Sequence, residues 1–142
     1  MSNYSVFEAG SLNSLDEYTY RNERLPFAVD GKLFLRDKLS LTGAEISLNK
    51  MPMGKSIPFL HHHGESEEVY IFVSGKGQFQ VDGEIFPVSE GTSIRVAPEG
   101  DRGLRNIGEE DLIFIVIQVP EGGYDVKEIN DGEAASRSIK WE

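Results

Sequence analysis

Short apolar or alternating segments, separated by glycine, proline and aspartate, recur from Lys32 to Val119 and constrain the fold more than any other feature of the sequence. Asp82-Gly83 lies between two of these segments and is typical of the two-residue turn of a β-hairpin. Many short strands at close spacing indicate a β-sandwich or barrel. The sequence therefore predicts an all-β fold, with strands near Lys32–Arg36, Ala44–Lys50, Phe59–His63, Glu68–Val73, Gly77–Val81, Glu84–Val88, Thr92–Val96, Gly103–Asn106 and Leu112–Val119.

Charge and composition restrict the partners of the chain. Its 142 residues include 14 basic and 24 acidic side chains, and the formal net charge is −10. Such a surface repels nucleic acid and anionic membranes at long range. The longest nearly uncharged apolar run, Leu112–Val119, is far shorter than the roughly 20 residues of a membrane span. The chain has no cysteine, so disulfides and thiol chemistry are excluded. We expect a small-molecule ligand, no nucleic acid, no membrane and a cytoplasmic location.

Two of the expected strands, Val69–Val73 and Leu112–Ile117, are apolar on both faces. A strand with one face in water should alternate, so these two need a cover on each side. The barrel interior provides one cover. The N-terminal segment or a second subunit provides the other, and we expect a homodimer.

The two ends of the chain differ in composition from its middle. We expect an N-terminal extension over residues 1–32 that packs on the barrel, the barrel itself over 33–119, and a polar C-terminal tail over 120–142. Ser14-Leu15-Asp16-Glu17 fits a capping box and predicts a short helix that begins there, with a chance match as the alternative. In the tail, Val126–Ile129 is a candidate strand, and Trp141 either docks on the barrel or stays exposed.

All three histidines are consecutive, at positions 61 to 63. In a strand, His61 and His63 share one face and His62 takes the other. If the next strand pairs antiparallel with this one, a carboxylate of Glu67-Glu68 meets the two imidazoles; Glu65, on the turn, is a further candidate. Two imidazoles and one carboxylate suit a divalent transition metal such as Fe, Mn, Ni or Zn, with coordination positions left open. The alternative is a solvated loop without a metal.

This segment resembles the first motif of the cupin superfamily, G-x5-H-x-H-x3,4-E-x6-G. The chain reads Gly54, six residues, His61-His62-His63, four residues, Glu68, six residues, Gly75. A second cupin motif, G-x5-P-x-G-x2-H-x3-N, resembles the run of Gly91, six residues and Pro98-Glu99-Gly100-Asp101-Arg102-Gly103-Leu104-Arg105-Asn106. The resemblance covers about half of the chain. It implies a double-stranded β-helix (jelly-roll) barrel with its ligand site in the barrel mouth. It also implies that His61, His63 and Glu68 face inward, and it selects Glu68 as the carboxylate.

The second motif lacks its histidine, which is usually the fourth metal ligand of the family. Counting from Gly100 places Gly103 in that position, and counting back from Asn106 places Arg102 there. Neither side chain has a lone pair for a metal. The metal is then held by His61, His63 and Glu68 with water, or Gln118 or Gln78 completes the site, or no metal is bound.

Arg102 and Arg105 suggest what replaces the missing ligand. A guanidinium at this position could hold a carboxylate or phosphate of a ligand, or it could pair with Glu68 and weaken metal binding. The alternative is that both arginines are solvated. By strand parity, we expect Tyr70 and Phe72 to line the pocket with Glu68.

The resemblance and these residues favour a cupin that binds a small polar or acidic metabolite, with a divalent metal on two histidines and one glutamate. Whether such a site catalyses a reaction or senses its ligand stays open, because one barrel fold hosts many unrelated activities. The first alternative is a metal-free, non-enzymatic ligand-binding module that uses an arginine clamp. The second alternative is an interaction subunit with a degenerate pocket.

Overall fold

The computed structural model describes residues 2–125, 129 and 131–142. Within this part of the chain a 3₁₀ helix, Leu12–Glu17, precedes the first strand. The strands and the one short α-helix then follow in the order β1 Thr19–Tyr20, β2 Val29–Asp30, β3 Lys32–Phe34, α1 Arg36–Leu39, β4 Glu45–Met51, β5 Ser66–Ser74, β6 Lys76–Val81, β7 Glu84–Ser89, β8 Ser93–Val96, β9 Arg102–Arg105 and β10 Leu112–Pro120.

Two antiparallel sheets face each other and enclose the core. One sheet has the strand order β3-β4-β10-β5-β8 and the other has the order β7-β6-β9. Aromatic rings from both sheets meet between them: the ring of Phe79 on β6 lies 4.8 Å from that of Tyr70 and 6.5 Å from that of Phe72, both on β5. Burial of these apolar side chains holds the two sheets together. This arrangement confirms the prediction of an all-β, double-stranded β-helix barrel.

The hairpin between β6 and β7 forms where the sequence predicts it. Asp82 and Gly83 have φ angles of 50° and 90°, which are left-handed conformations. A two-residue turn with two positive φ angles matches the twist of the flanking strands, and glycine adopts it without a steric cost. Val81 and Glu84 then pair directly across the turn.

The expected strand over Phe59–His63 is wrong. His61 forms only an isolated bridge with Arg102, and Ser56 forms another with Arg105. The backbone N–H of Ile57 donates to Leu104, and that of His61 donates to Arg102. Three residues lie between the two donors, but only one residue lies between the two acceptors. The extra residues bulge out, and Pro58 among them has no N–H to donate. The histidine segment therefore runs antiparallel alongside β9 and does not pair with the strand of Glu68.

The N-terminal helix starts earlier than its capping box suggests. Ser11 is the N-cap and accepts a hydrogen bond from the Asn13 N–H, whereas Ser14 lies inside the helix with φ −108° and ψ 16°. Leu15 is fully buried, and the Lys50 amino group on β4 donates to the Asn13 carbonyl at 2.7 Å. This helix therefore covers part of the outer face of the larger sheet.

The outer face over β5 and β10 is less well covered than the inner face. Tyr70, Phe72, Phe114 and Val116 point into the core and are at most 6% exposed. The side chains between them point outward and are half-buried, namely Val69, Ile71, Ile115 and Ile117. Both strands are thus apolar on two faces, as their sequences indicate.

The C-terminal tail adds little that can be compared with the sequence. The candidate strand Val126–Ile129 lies outside the described residues, except for Ile129. Trp141 is 90% exposed, so it does not dock on the barrel and the alternative of an exposed tryptophan is correct. Among the residues that the structure describes, no helix is long and apolar enough to cross a bilayer.

Candidate metal centre in the barrel

His61 and His63 converge on the carboxylate of Glu68. The Nε2 atom of His63 lies 3.3 Å from Glu68 Oε1, and that of His61 lies 3.8 Å from it. One ligand atom from each of the three residues lies within 4.8 Å of the others. The three residues come from two neighbouring segments, the histidine segment and the start of β5, and the short turn between these segments turns their side chains toward one another.

Backbone hydrogen bonds fix the histidine segment. The N–H of His61 donates to the Arg102 carbonyl at 3.1 Å, and the Arg102 N–H donates to the His61 carbonyl at 2.9 Å. The His63 N–H donates to the Pro98 carbonyl at 2.9 Å. His62 points the other way, and its Nδ1 lies 2.9 Å from Asp101 Oδ1 at the surface. The segment therefore alternates as expected although it is not a regular strand.

Strand register separates the two candidate carboxylates of β5. Glu68 pairs with Val96 on β8 and with Gln118 on β10, and it is only 5% exposed. Glu67 faces outward and accepts a hydrogen bond from Arg95 Nε at 2.8 Å. Glu68 is thus the inward carboxylate. The third candidate, Glu65, is exposed on the preceding turn.

Arg102 occupies the inward position at which the second motif lacks its histidine. Its side chain is 1% exposed, and Nη1 donates to Glu68 Oε1 at 2.7 Å. The carbonyls of Ala97, Pro98 and Gly100 accept from its Nε and Nη2. Arg102 is therefore a partner of Glu68. Its guanidinium has no exposed face with which to hold the carboxylate or phosphate of a ligand, as the anion-clamp alternative requires. The alternative of a solvated arginine does not hold for Arg102.

The neighbouring Gly103 faces outward. A Cβ added there would lie 2.7 Å from the Leu60 Cδ2 atom, so Leu60 covers this position closely. Of the two ways of counting the second motif, the one that starts from Asn106 therefore identifies the inward residue.

The remaining candidate lining residues do not form one surface. Tyr70 is buried and its hydroxyl donates to Glu68 Oε1 at 3.1 Å, whereas Phe72 is 1% exposed inside the core. Gln78 lies on the opposite face of β6 from Phe79 and accepts from Arg105 Nε at 2.8 Å. Gln118 pairs with Glu68 and its amide donates to Ser66 Oγ at 3.3 Å. The structure therefore places Gln118 next to the cluster, but it removes Gln78 and Phe72 from it.

Electrostatics keep Glu68 and His63 in the forms that bind a metal. Burial acts to raise the pKa of Glu68, but the His61 and His63 imidazoles and the Arg102 guanidinium outweigh it and lower the pKa to about 2. Burial lowers the pKa of His63, although the charge of Glu68 opposes this. Burial and the same charge raise the pKa of Tyr70, so its hydroxyl keeps its proton. Near pH 7 the site presents a carboxylate and a neutral imidazole of His63.

One buried atom of the cluster lacks a partner. His63 Nε2 is buried and forms no hydrogen bond within the described residues, because its contact with Glu68 lacks the direction of one. An unsatisfied buried nitrogen costs about 1–3 kcal/mol, which a bound ligand would recover. Two imidazoles and a carboxylate are also a common donor set for divalent transition metals. The residues present therefore fit such an ion, although the positive charge of Arg102 acts against its binding.

Sequence reasoning missed Lys32, which also faces the barrel interior. Its amino group donates to Asn49 Oδ1 at 2.9 Å and to Ser47 Oγ at 3.4 Å. Burial lowers the pKa of Lys32 to about 8, against the opposing charges of Glu68 and Glu45. The sequence carries only a weak signal for this position. Lys32 precedes Leu33 in an expected strand, and alternation with a buried leucine predicts that the lysine faces water.

Comparisons with known proteins agree with this architecture. A family model described as "Cupin domain" matches residues 48–118. The crystal structure of a cupin protein from Bacteroides fragilis is 36% identical, covers 80% of this chain and 96% of its own, and superimposes with a TM-score of 0.70. The crystal structure of a "predicted oxalate decarboxylase" from Thermotoga maritima is 27% identical, covers 53% of this chain and 64% of its own, and has a TM-score of 0.51.

A relative from Methanocaldococcus jannaschii, an "uncharacterized protein", is 33% identical over 79 residues. These residues are 56% of this chain and 62% of the relative, so the match spans less than two thirds of that protein.

The buried pair of Arg102 and Glu68 is expected to contribute more to stability than an exposed pair. Arg102→Met leaves the Glu68 carboxylate buried without its cation and should lower the free energy of unfolding by about 3–5 kcal/mol. Arg95→Met removes the exposed partner of Glu67 and should cost no more than about 1 kcal/mol. Urea denaturation at pH 7 measures both, and equal losses would contradict the prediction.

The stability of the protein is expected to rise with pH because of Lys32. Between the folded pKa of about 8 and the ordinary value of 10.5, the unfolded chain binds more protons than the folded one. The free energy of unfolding should therefore increase across this window by up to about 3 kcal/mol relative to Lys32→Met, which lacks the titrating group. Denaturation series from pH 7 to 10.5 on both proteins give the difference, and parallel curves would count against it.

Proposed function

This chain belongs to the cupin family, and we propose that it binds a small polar or acidic metabolite at a divalent metal ion held by His61, His63 and Glu68. The buried, unpartnered Nε2 atom of half-buried His63, which lies in a cluster with one more imidazole and a carboxylate, carries this proposal. The name of the relative from Thermotoga maritima, a predicted oxalate decarboxylase, supports a small acidic ligand.

A divalent ion at these residues would act as a Lewis acid that polarises an oxygen of the bound ligand. The protein prepares this site with four of its own groups. Arg102 and Tyr70 both donate to Oε1 of Glu68, so they fix the orientation of the carboxylate. The depressed pKa of Glu68 keeps this group ionised, and the lowered pKa of His63 keeps a lone pair on its ring. Fe, Mn, Ni and Zn all accept this donor set.

A second candidate function is a metal-free ligand-binding or interaction module. The ion pair of Arg102 with Glu68 favours it, because a guanidinium 2.7 Å from the carboxylate already supplies a positive charge there. A dication beside this fixed cation is repelled, which lowers its affinity. The two candidates differ in whether the purified protein carries a metal.

Metal analysis of protein purified without chelators or added metal tests the proposal. We expect about one equivalent per chain in the wild type and its loss in His61→Ala and Glu68→Ala, because each variant removes a ligand. His62→Ala is the matched control, since His62 faces Asp101 at the surface, and it should retain the metal. A wild type with only traces of metal would reject the metal site and leave the second candidate. Retention in Glu68→Ala would show that the ion binds elsewhere.

We also propose that the chain forms a homodimer through the outer face of β5 and β10. The half-buried side chains there, Val69, Ile71, Ile115 and Ile117, form an apolar surface on an otherwise acidic protein. A second copy would cover it. A cytoplasmic location remains a prediction from composition.

Light scattering on a size-exclusion column tests the dimer. The wild type should elute with twice the monomer mass, and Ile71→Asp should shift it towards the monomer because a charge would be buried at the interface. Ile85→Asp, at a 61% exposed position on β7 of the other sheet, is the control and should leave the mass unchanged. A wild-type monomer at high concentration would refute the proposal.

A further inference from the structure

A cavity separate from the histidine cluster lies along β3. Its volume is about 470 Å³, which falls in the range of small-molecule sites. Lys32, Phe34 and Glu45 line it together with Tyr18 and Tyr20 of the N-terminal segment. Neither the candidate metal ligands nor Arg102 line it. The proposed metal site therefore leaves this cavity without a role.

Strand register places the side chain of Lys32 on the interior face of β3. Lys32 pairs with Asn49 and Phe34 pairs with Ser47 across β3 and β4. Directly opposed residues share a face, and Asn49 and Ser47 face the barrel interior, where they are 4% and 2% exposed. The side chain of Lys32 therefore lies on the interior face of the sheet, and Lys32 is one of the residues that line the cavity.

Two hydrogen bonds hold the amine of Lys32 without neutralising it. The acceptors are Asn49 Oδ1 at 2.9 Å and Ser47 Oγ at 3.4 Å, both uncharged, so a third N–H position stays available. The nitrogen also lies 4.9 Å from the centre of the Phe34 ring. Within the described part of the chain, Lys32 forms no ion pair.

Lys50, on the neighbouring strand β4, shows how a lysine behaves when it is paired. Its side chain is 13% exposed, and its amine lies 2.8 Å from Asp16 Oδ1 and 3.4 Å from Asp111 Oδ2. These partners raise the pKa of Lys50. Lys32 and Lys50 therefore differ in the direction of their pKa shifts. The pKa controls nucleophilicity because only an uncharged amine can attack a carbonyl carbon.

The charged groups around Lys32 leave part of its population neutral. Glu45 lines the same cavity, but its Oε1 accepts from the backbone N–H groups of Arg36 and Ile46, and Glu68 acts from β5. Burial outweighs both carboxylates, and the pKa of Lys32 falls to about 8. About a tenth of the amine is then uncharged at pH 7, against less than a thousandth for an ordinary lysine. Asp37 and Lys38 also line the cavity and carry opposite charges.

We infer that Lys32 is the nucleophile of a second site, in which a small carbonyl compound binds as an imine. The amine nitrogen adds to the carbonyl carbon, the carbonyl oxygen leaves as water, and a carbon–nitrogen double bond remains. No other reactant is required. The rings of Tyr20 and Phe34, whose centres lie 4.7 Å apart, favour a flat or apolar carbonyl compound. The inference does not depend on the metal ion.

Reductive trapping on the wild-type full chain tests this site. The protein is treated with limiting benzaldehyde and sodium cyanoborohydride at pH 7.5, digested, and mapped by mass spectrometry. Any imine is reduced to a stable secondary amine on the lysine that formed it. We expect the adduct on Lys32 to form at least about tenfold faster than on shielded Lys50 or exposed Lys55, because the uncharged amine is more abundant there.

Two controls make the outcome decisive. In urea the preference for Lys32 should disappear, because the cavity and the shifted pKa both depend on the fold. Lys32→Arg keeps the positive charge and should lose the fast adduct, whereas Lys50→Arg should keep it. If Lys32→Arg does not fold, the wild-type map still decides. Adducts distributed according to exposure, or an unreactive Lys32, would overturn the inference whether or not a metal binds at the histidines.

Discussion

The buried carboxylate of Glu68 and the guanidinium of Arg102 form the interaction on which the interior of this barrel depends. Each charge alone would be expensive to remove from water, and together they compensate each other. Arg102 also bonds to His61 through its backbone and to the carbonyls of Ala97 and Gly100 through its side chain. One residue therefore joins β5, β9 and the histidine segment, and it fixes two of the candidate ligands relative to each other.

Much of the scaffold could be predicted from local sequence patterns. Asp82-Gly83 specifies its turn through backbone conformation. The apolar runs of β5 and β10 need neighbours that cover both of their faces, and both strands lie in the interior of the larger sheet. The opposite orientations of His61 and His62 also followed from alternation. The path of the histidine segment could not be predicted in this way, because two extra residues in the stretch that begins at Pro58 change its pairing, and bulges leave little trace in composition.

Other features of the interior contradict the pattern that sequence reasoning relies on. On β4 the polar side chains of Ser47 and Asn49 face inward, while Leu48 between them takes the opposite face, where Leu33 of β3 is its directly opposed residue. Simple alternation would orient this strand the other way round. The inward position of Arg102 had a similar ambiguity, since a run one residue shorter than its motif can be aligned from either end. Only the register of β9 against β6 separates Arg102 from Gly103.

The outward direction of Gly103 limits how this barrel could acquire a fourth imidazole. A side chain at position 103 would point toward Leu60 and Gln80, on the opposite side of β9 from the metal cluster. Position 102 has the correct direction, but a histidine there would remove the guanidinium that neutralises Glu68. A four-ligand centre and the present internal ion pair are therefore mutually exclusive states of the same sequence position. A redesign for tight metal binding would have to exchange one for the other in a single substitution.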